Sequence, residues 1–147
     1  MNRIEISTCN ERGEEVENNV LKLLGALDYV TSVRGTEKNG PEDRQKIDLV
    51  VNLDREKKNL SISEISVQVK ASTTGLTSFK REVRHILKTQ SEENVSCEQW
   101  MLRNRIVILV GDVRISRSRK NRWPVSDEEI IDSFERQLEK IDNFLRQ

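Results

Sequence analysis

The eight residues RIVILVGD, Arg105 to Asp112, constrain the fold of this chain more than any other stretch. The run has strand length and no polar face, so it reads as a strand buried on both sides. Such a strand needs helices on both faces of its sheet, and the sequence supplies amphipathic ones. Val16, Val20, Leu23, Leu24 and Leu27 recur at helical spacing after Glu11, with Glu14, Glu15, Glu17, Asn18 and Lys22 between them. They predict a first helix that ends between Gly25 and Asp28. Phe79, Val83, Ile86 and Leu87 predict a second. Ile130, Phe134, Leu138, Ile141 and Leu145 predict a third over 127–146, opened by Ser126 and Glu129 at capping-box spacing.

The β-branched stretch YVTSVRG, Tyr29 to Gly35, predicts a strand, and the polar TEKNGPEDRQ after it a loop. Two further strands are expected at Lys46 to Leu53 and Ser61 to Lys70, joined by a charged turn from Asp54 to Asn59. Leu60, Ile62, Ile65, Val67 and Val69 do not alternate cleanly, which predicts a bulge near Glu64. The order is therefore α-β-β-β-α-β-α. A chain of 147 residues suits a single α/β domain over 1–147, with a core at about 11–112, a basic segment at 113–125 and the C-terminal helix at 127–146.

Composition excludes several function classes. The chain has one histidine, His85, and two distant cysteines, Cys9 and Cys97, which rules against a Cys/His zinc site. Two reduced thiols in a cytosol are expected rather than a disulfide. No apolar run approaches the ~20 residues that span a bilayer, and MNRIEISTCNERGEE lacks the apolar core of a secretory signal. A cytoplasmic protein with no membrane partner is the expectation. Basic and acidic residues number 25 each, so any argument for a polyanionic partner must come from local charge.

The stretch IDLVVNLDREKKNLSISEISVQVKAS, Ile47 to Ser72, poses the functional question. Its first strand opens on Asp48 and its second closes on Gln68 and Lys70. A hairpin folded about Lys57 and Lys58 pairs residues whose numbers sum to about 116, which sets Asp48 opposite Gln68. Gln68 and Lys70 share a face because side chains alternate along a strand. Each residue alone has a plainer role: Asp48 as a strand-start turn former, Gln68 and Lys70 as a polar strand face. Together they suit phosphodiester hydrolysis. Asp48 offers a carboxylate to a hard divalent cation, Gln68 a neutral amide oxygen, and Lys70 a cation beside the attacking water or the charged phosphorane.

With the preceding helix, these residues resemble the PD-(D/E)xK nuclease superfamily. RGEEVENNVLKLL is similar to the G-x-x-V-E opening of archaeal Holliday-junction resolvases, and QVK to the Q-x-K variant of Mrr-like restriction enzymes. The resemblance runs over roughly Glu11 to Val110. It implies a restriction-endonuclease-like αβββαβ core, a mixed sheet flanked by helices, with an extra C-terminal helix. It also implies Glu17, or Glu14 one turn earlier, as the helix carboxylate. Glu17, Asp48, Gln68 and Lys70 would then be catalytic, the first three holding Mg²⁺ or Mn²⁺. Two positions depart from the family pattern: Ile47 replaces a proline, and Gln68 replaces an acid, removing one negative charge from the metal site.

Two basic segments suit a phosphate backbone: Lys80, Arg81, Arg84 and Lys88 on the second helix, and Arg117, Arg119, Lys120 and Arg122 after the buried strand. Both are expected to face the Asp48 side, with Trp123 anchoring the second. The leading expectation is a metal-dependent deoxyribonuclease acting on duplex or branched DNA in restriction, mobile-element or recombination chemistry. The alternatives are a nucleic-acid-binding or regulatory protein of the same fold that does not cut, and an interaction domain built on the C-terminal helix. A homodimer is expected too, since cutting both strands needs two sites and the terminal apolar stripe offers a pairing face.

Overall fold

The computed structural model describes residues 2–36, 48–114 and 122–147; side chains are described from residue 14 onward, excluding 112–114 and 122–123. The elements are α1 (Asn2–Gly25), β1 (Val30–Gly35), β2 (Leu49–Leu53), α2 (Arg55–Lys58), β3 (Glu64–Ser72), α3 (Thr73–Thr89), α4 (Cys97–Arg103), β4 (Ile106–Arg114), β5 (Arg122–Pro124) and α5 (Asp127–Arg146). The chain is an α/β protein whose mixed sheet runs β1-β2-β3-β4-β5 between helices. The β1–β2, β2–β3 and β4–β5 pairs are antiparallel, and β3–β4 is parallel, joined by a crossover through α3 and α4.

Local chemistry explains where the elements differ from the sequence reading. The charged turn holds one helical turn, α2. Asp54 caps it by accepting from the Glu56 and Lys57 amides, and Asn59 closes it in the left-handed region at φ 54°. No bulge interrupts β2–β3 near Glu64: the register holds from Leu49↔Val67 to Asn52↔Glu64. Lost alternation there marks the start of β3, and the irregular register falls instead on β1 between Val30 and Ser32. The sequence reading also missed α4 and β5. At α4, Ser96 accepts from the Gln99 amide while the Gln99 side chain accepts from the Ser96 amide, a complete capping box.

The two faces of the sheet are packed unequally. On one, Val20 and Leu24 of α1 and Ile130, Phe134, Leu138 and Ile141 of α5 enclose Leu49, Val51, Ile65, Val67, Val107 and Leu109. On the other, Phe79, Val83 and Leu87 of α3 form a smaller cluster with Trp100 and Met101 of α4 and Ile108 of β4. β4 is thus sealed on the first face, by Val107 and Leu109, and only partly on the second, where Ile106 is buried but Ile108 and Val110 are half-buried. Its outer edge is covered by a side chain. Gln137 accepts from the Ile108 amide at 3.0 Å and donates to the Ile108 carbonyl at 2.8 Å, completing the ladder where, among the described residues, no strand pairs with that edge.

The C-terminal stripe belongs to this core. Ile130, Phe134, Leu138 and Ile141 are buried, and Leu145 packs against them half-exposed. The apolar face expected to pair two copies is therefore consumed within the chain, and the homodimer loses the surface on which that expectation rested. Polar ties fix α5 further. Asp142 accepts from the Ser61 amide and hydroxyl and from Arg146, and Glu135 accepts from Tyr29 and Lys58. Burial and the Glu135 hydrogen bond push the Tyr29 hydroxyl well above its ordinary value.

Candidate functional site

The register constant of β2–β3 is the one read from the sequence: Leu49 faces Val67 and Val50 faces Ser66. At Asp48 the regular ladder ends. The Asp48 amide donates to the Val67 carbonyl at 3.0 Å, and the carboxylate Oδ2 accepts from the Val69 amide at 2.8 Å. A side chain thus replaces the next backbone partner of β3. The Asp48 carbonyl in turn accepts from the Thr36 amide and hydroxyl, closing the end of β1 onto β2. Asp48 therefore does the work of a strand-end cap and, by doing it, is pinned within one residue of Gln68.

Gln68 and Lys70 follow on the face that α3 covers. Gln68 is only 5% exposed, and among the described residues its Oε1 is buried with no hydrogen-bond partner. Leaving such an atom unsatisfied costs about 1–3 kcal/mol, so its retention calls for a reason. Lys70 is half-buried and turns along the first residues of α3, with Nζ 5.8 Å from the centre of the Phe79 ring. Gly75 permits that path: a Cβ there would lie 3.2 Å from the Lys70 Cβ and 3.3 Å from its Cδ. The sequence reads the Ser/Thr/Gly stretch after Ala71 as a loop and gives Gly75 no role; in the structure Gly75 is the third residue of α3.

Glu17 comes from the opposite layer. Its neighbour Val16 lies so close to Gly111 that a Cβ at Gly111 would sit 2.8 Å from both Val16 methyls and 3.3 Å from the Ala71 carbonyl. That contact sets this turn of α1 over the Ala71–Gly111 end of the parallel pair, the same strand end that carries Lys70. Glu17 is half-buried there and already engaged in an interaction, while Glu14 is exposed. The register thus sets Asp48 beside Gln68 at one end of the sheet with Lys70 two residues further on, and Val16 places the neighbouring turn of α1 against that end on the opposite face.

The oxygen donors fit a hard divalent cation in kind: one carboxylate, one amide oxygen with no partner among the described residues, and a second carboxylate on the facing helix layer. Charge is sparse. Among the described residues no three His, Cys, Asp or Glu side chains cluster in a way that could hold a metal. With Gln68 in the central position, one of the three donors is neutral, and the set carries one negative charge fewer than three carboxylates would.

The basic residues divide. Lys80, Arg81, Arg84 and Lys88 are all exposed on α3. Lys80 and Arg84 stand on the rim of a cavity of about 480 Å³ whose lining includes none of Asp48, Gln68, Lys70 or Glu17. Arg117, Arg119 and Lys120 lie outside the described residues, and Arg122 and Trp123 are placed only as backbone on β5. No helix among the described residues is long and apolar enough to cross a membrane. No family model, curated protein or solved structure matches the chain.

Proposed function

We propose that the protein is a metal-dependent nuclease with a restriction-endonuclease-like core, hydrolysing DNA phosphodiester bonds at the Asp48–Gln68–Lys70 end of the sheet. The observation that carries this reading is the orphaned Gln68 Oε1 beside a carboxylate that the strand end holds fixed. This acceptor has no donor among the described residues, and a cation, or water bound to one, would satisfy it. Asp48 and Gln68 would hold Mg²⁺ or Mn²⁺, with Glu17 reaching it past Ala71. The metal would supply Lewis acidity toward a phosphoryl oxygen and acidify a bound water. Lys70 would orient that water or offset charge on the phosphate, and the α3 cations Arg81 and Lys88 would hold the backbone.

The test is incubation of supercoiled, linear, single-stranded and branched DNA with the protein and Mg²⁺ or Mn²⁺. Metal-dependent cleavage that falls by about 100-fold or more in Lys70→Ala is expected. Absence of cleavage from all four substrates with both metals overturns the catalytic reading. A second reading, nucleic-acid binding without cutting, is favoured by the small number of carboxylates near Gln68. It predicts salt-sensitive DNA binding that neither metal nor Lys70→Ala changes.

A further inference from the structure

The cavity between α3, α4, β4 and α5 is built unlike the strand-end site, and nothing in the proposed nuclease chemistry uses it. Its floor is apolar, formed by Met101, Ile106, Ile108 and Ile141. Its volume of about 480 Å³ lies within the range of small-ligand sites. Three cations stand around it, Lys80, Arg84 and Lys140, against one carboxylate, Glu98. Lys140 and Glu98 meet at 4.0 Å with both side chains largely exposed, a contact that solvent weakens and a ligand displaces readily.

Lys80 and Arg84 are the informative pair. They sit four residues apart on one helix, so they share a flank and repel each other. Among the described residues neither has an ion-pair partner. The half-buried half of β4 supplies the second observation. Ile108 is held in place by the Gln137 clamp, yet its side chain stays half-exposed at the cavity floor. An apolar floor beneath unpaired cations is complementary to one ligand chemistry: an anionic head on an apolar body.

We propose that this cavity binds a small amphiphilic organic anion, its carboxylate, sulfonate or phosphate group between Lys80 and Arg84 and its apolar body against Ile108 and Met101. The binding is independent of the strand-end chemistry and requires no metal. The Cys97 thiol lines the same cavity, where burial pushes its pKa up against the opposing pull of Lys80 and Arg84. A bound ligand covers that thiol.

The probe is 1-anilinonaphthalene-8-sulfonate, used with the full chain in a Cys9→Ser background that leaves Cys97 as the remaining cysteine. The expected result is saturable binding at one site per chain. Affinity falls at least about tenfold in the Lys80→Glu, Arg84→Glu double variant, and the uncharged analogue N-phenyl-1-naphthylamine binds at least about tenfold more weakly than the sulfonate. Occupancy slows alkylation of Cys97 by iodoacetamide by a similar factor. Both substitutions fall on exposed positions, and an unchanged far-ultraviolet spectrum confirms that the variant is folded. No saturable binding, equal binding by the folded double variant, equal binding of the uncharged analogue, or an alkylation rate indifferent to the probe would each overturn the proposal.

Discussion

The two faces of the sheet are made from the same strands and solve different problems. The α1–α5 face buries a continuous core that includes Leu24, Leu49, Val67, Leu109, Phe134 and Leu138, with polar ties at its margin. The α3–α4 face has a smaller apolar cluster, built on Phe79, Val83 and Leu87 of α3. It leaves Ile108 half-open, and the strand it covers carries Gln68, whose Oε1 has no hydrogen-bond partner among the described residues. One layer supplies the stability, and the other gives some of it up at the positions where chemistry is proposed. Rigid backing on one side lets the other hold groups that a well-packed core would reject.

The largest effect expected from that contrast is on the thick face. Phe134 is completely buried between α5 and the sheet. Phe134→Ala should cost about 3–5 kcal/mol and unfold much of the protein at ordinary temperature. Phe79→Ala removes an equally buried ring from the thin face, where Trp100 and Lys70 border it and the cavity lies nearby. It should cost less, because the looser surroundings can collapse or hydrate. Urea midpoints of the two variants check this, and equal losses would erase the asymmetry.

Next in size is the tie between α5 and the loop before β3. Asp142 is 7% exposed, and Asp142→Ala leaves the Ser61 amide without its partner, at a cost of about 1–3 kcal/mol. Burial raises the Asp142 pKa, but the Ser61 hydrogen bonds and Arg146 outweigh it, so the carboxyl sits below its usual range. A depressed folded-state pKa means that the stabilisation is present above the unfolded value, about 3.9, and is lost as pH falls through the folded one. The gap in melting temperature between wild type and Asp142→Ala should therefore narrow below about pH 4. A gap that stays constant from neutral pH down to pH 2 would show that the carboxylate contributes nothing through its charge.

Much of this architecture was legible because it rests on period and spacing. The β2–β3 register follows from counting about the charged turn, and the same count set Asp48 beside Gln68. The α5 stripe was legible as a stripe but not as to its partner, since 3.6-residue periodicity says that a face is apolar and not what covers it. α2 and α4 were missed because each spans a turn or two, too short for periodicity, and their evidence lies in the caps Asp54 and Ser96. The bulge expected at Glu64 arose from reading Leu60 and Ile62 as strand residues when they belong to the approach. At the site, the Asp48 bond to the Val69 amide and the closeness of Gly75 to Lys70 are contacts made by tertiary placement. The cavity under Lys80 and Arg84 depends on how α4 and α5 meet, which no local pattern encodes.

A smaller effect, of opposite sign, is expected at Gln68. Gln68→Leu keeps similar volume and removes the unsatisfied oxygen, so it should stabilise the protein by about 1 kcal/mol while abolishing metal-dependent cleavage. Gln68→Glu should lower stability without metal and tighten Mg²⁺ binding, because it restores a negative charge at the centre of the donor set. Calorimetric titration with Mg²⁺ alongside thermal melts separates these outcomes. Loss of stability in Gln68→Leu would mean that the amide oxygen already has a partner in solution, and the thin face would then owe nothing to function there.

The smallest effect should appear at Gly75, and there the sign itself is informative. Gly75 is the third residue of α3, where alanine is still favoured over glycine but by less than the ~1 kcal/mol of a helix interior, so on propensity alone Gly75→Ala should stabilise α3 slightly. The new Cβ, however, would lie 3.2 Å from the Lys70 Cβ and 3.3 Å from its Cδ, closer than comfortable packing. The neighbour is a flexible stem, which can move by a few tenths of an ångström. The two terms should nearly cancel in stability, leaving a change within about 0.5 kcal/mol. The displacement should register instead in the Lys70 amine: its distance to the Phe79 ring changes, and with it any cleavage that depends on Lys70. A crystal structure of Gly75→Ala and its single-turnover rate read the two consequences separately. Unaltered Lys70 placement together with a full rate would show that the glycine serves only the entry of α3.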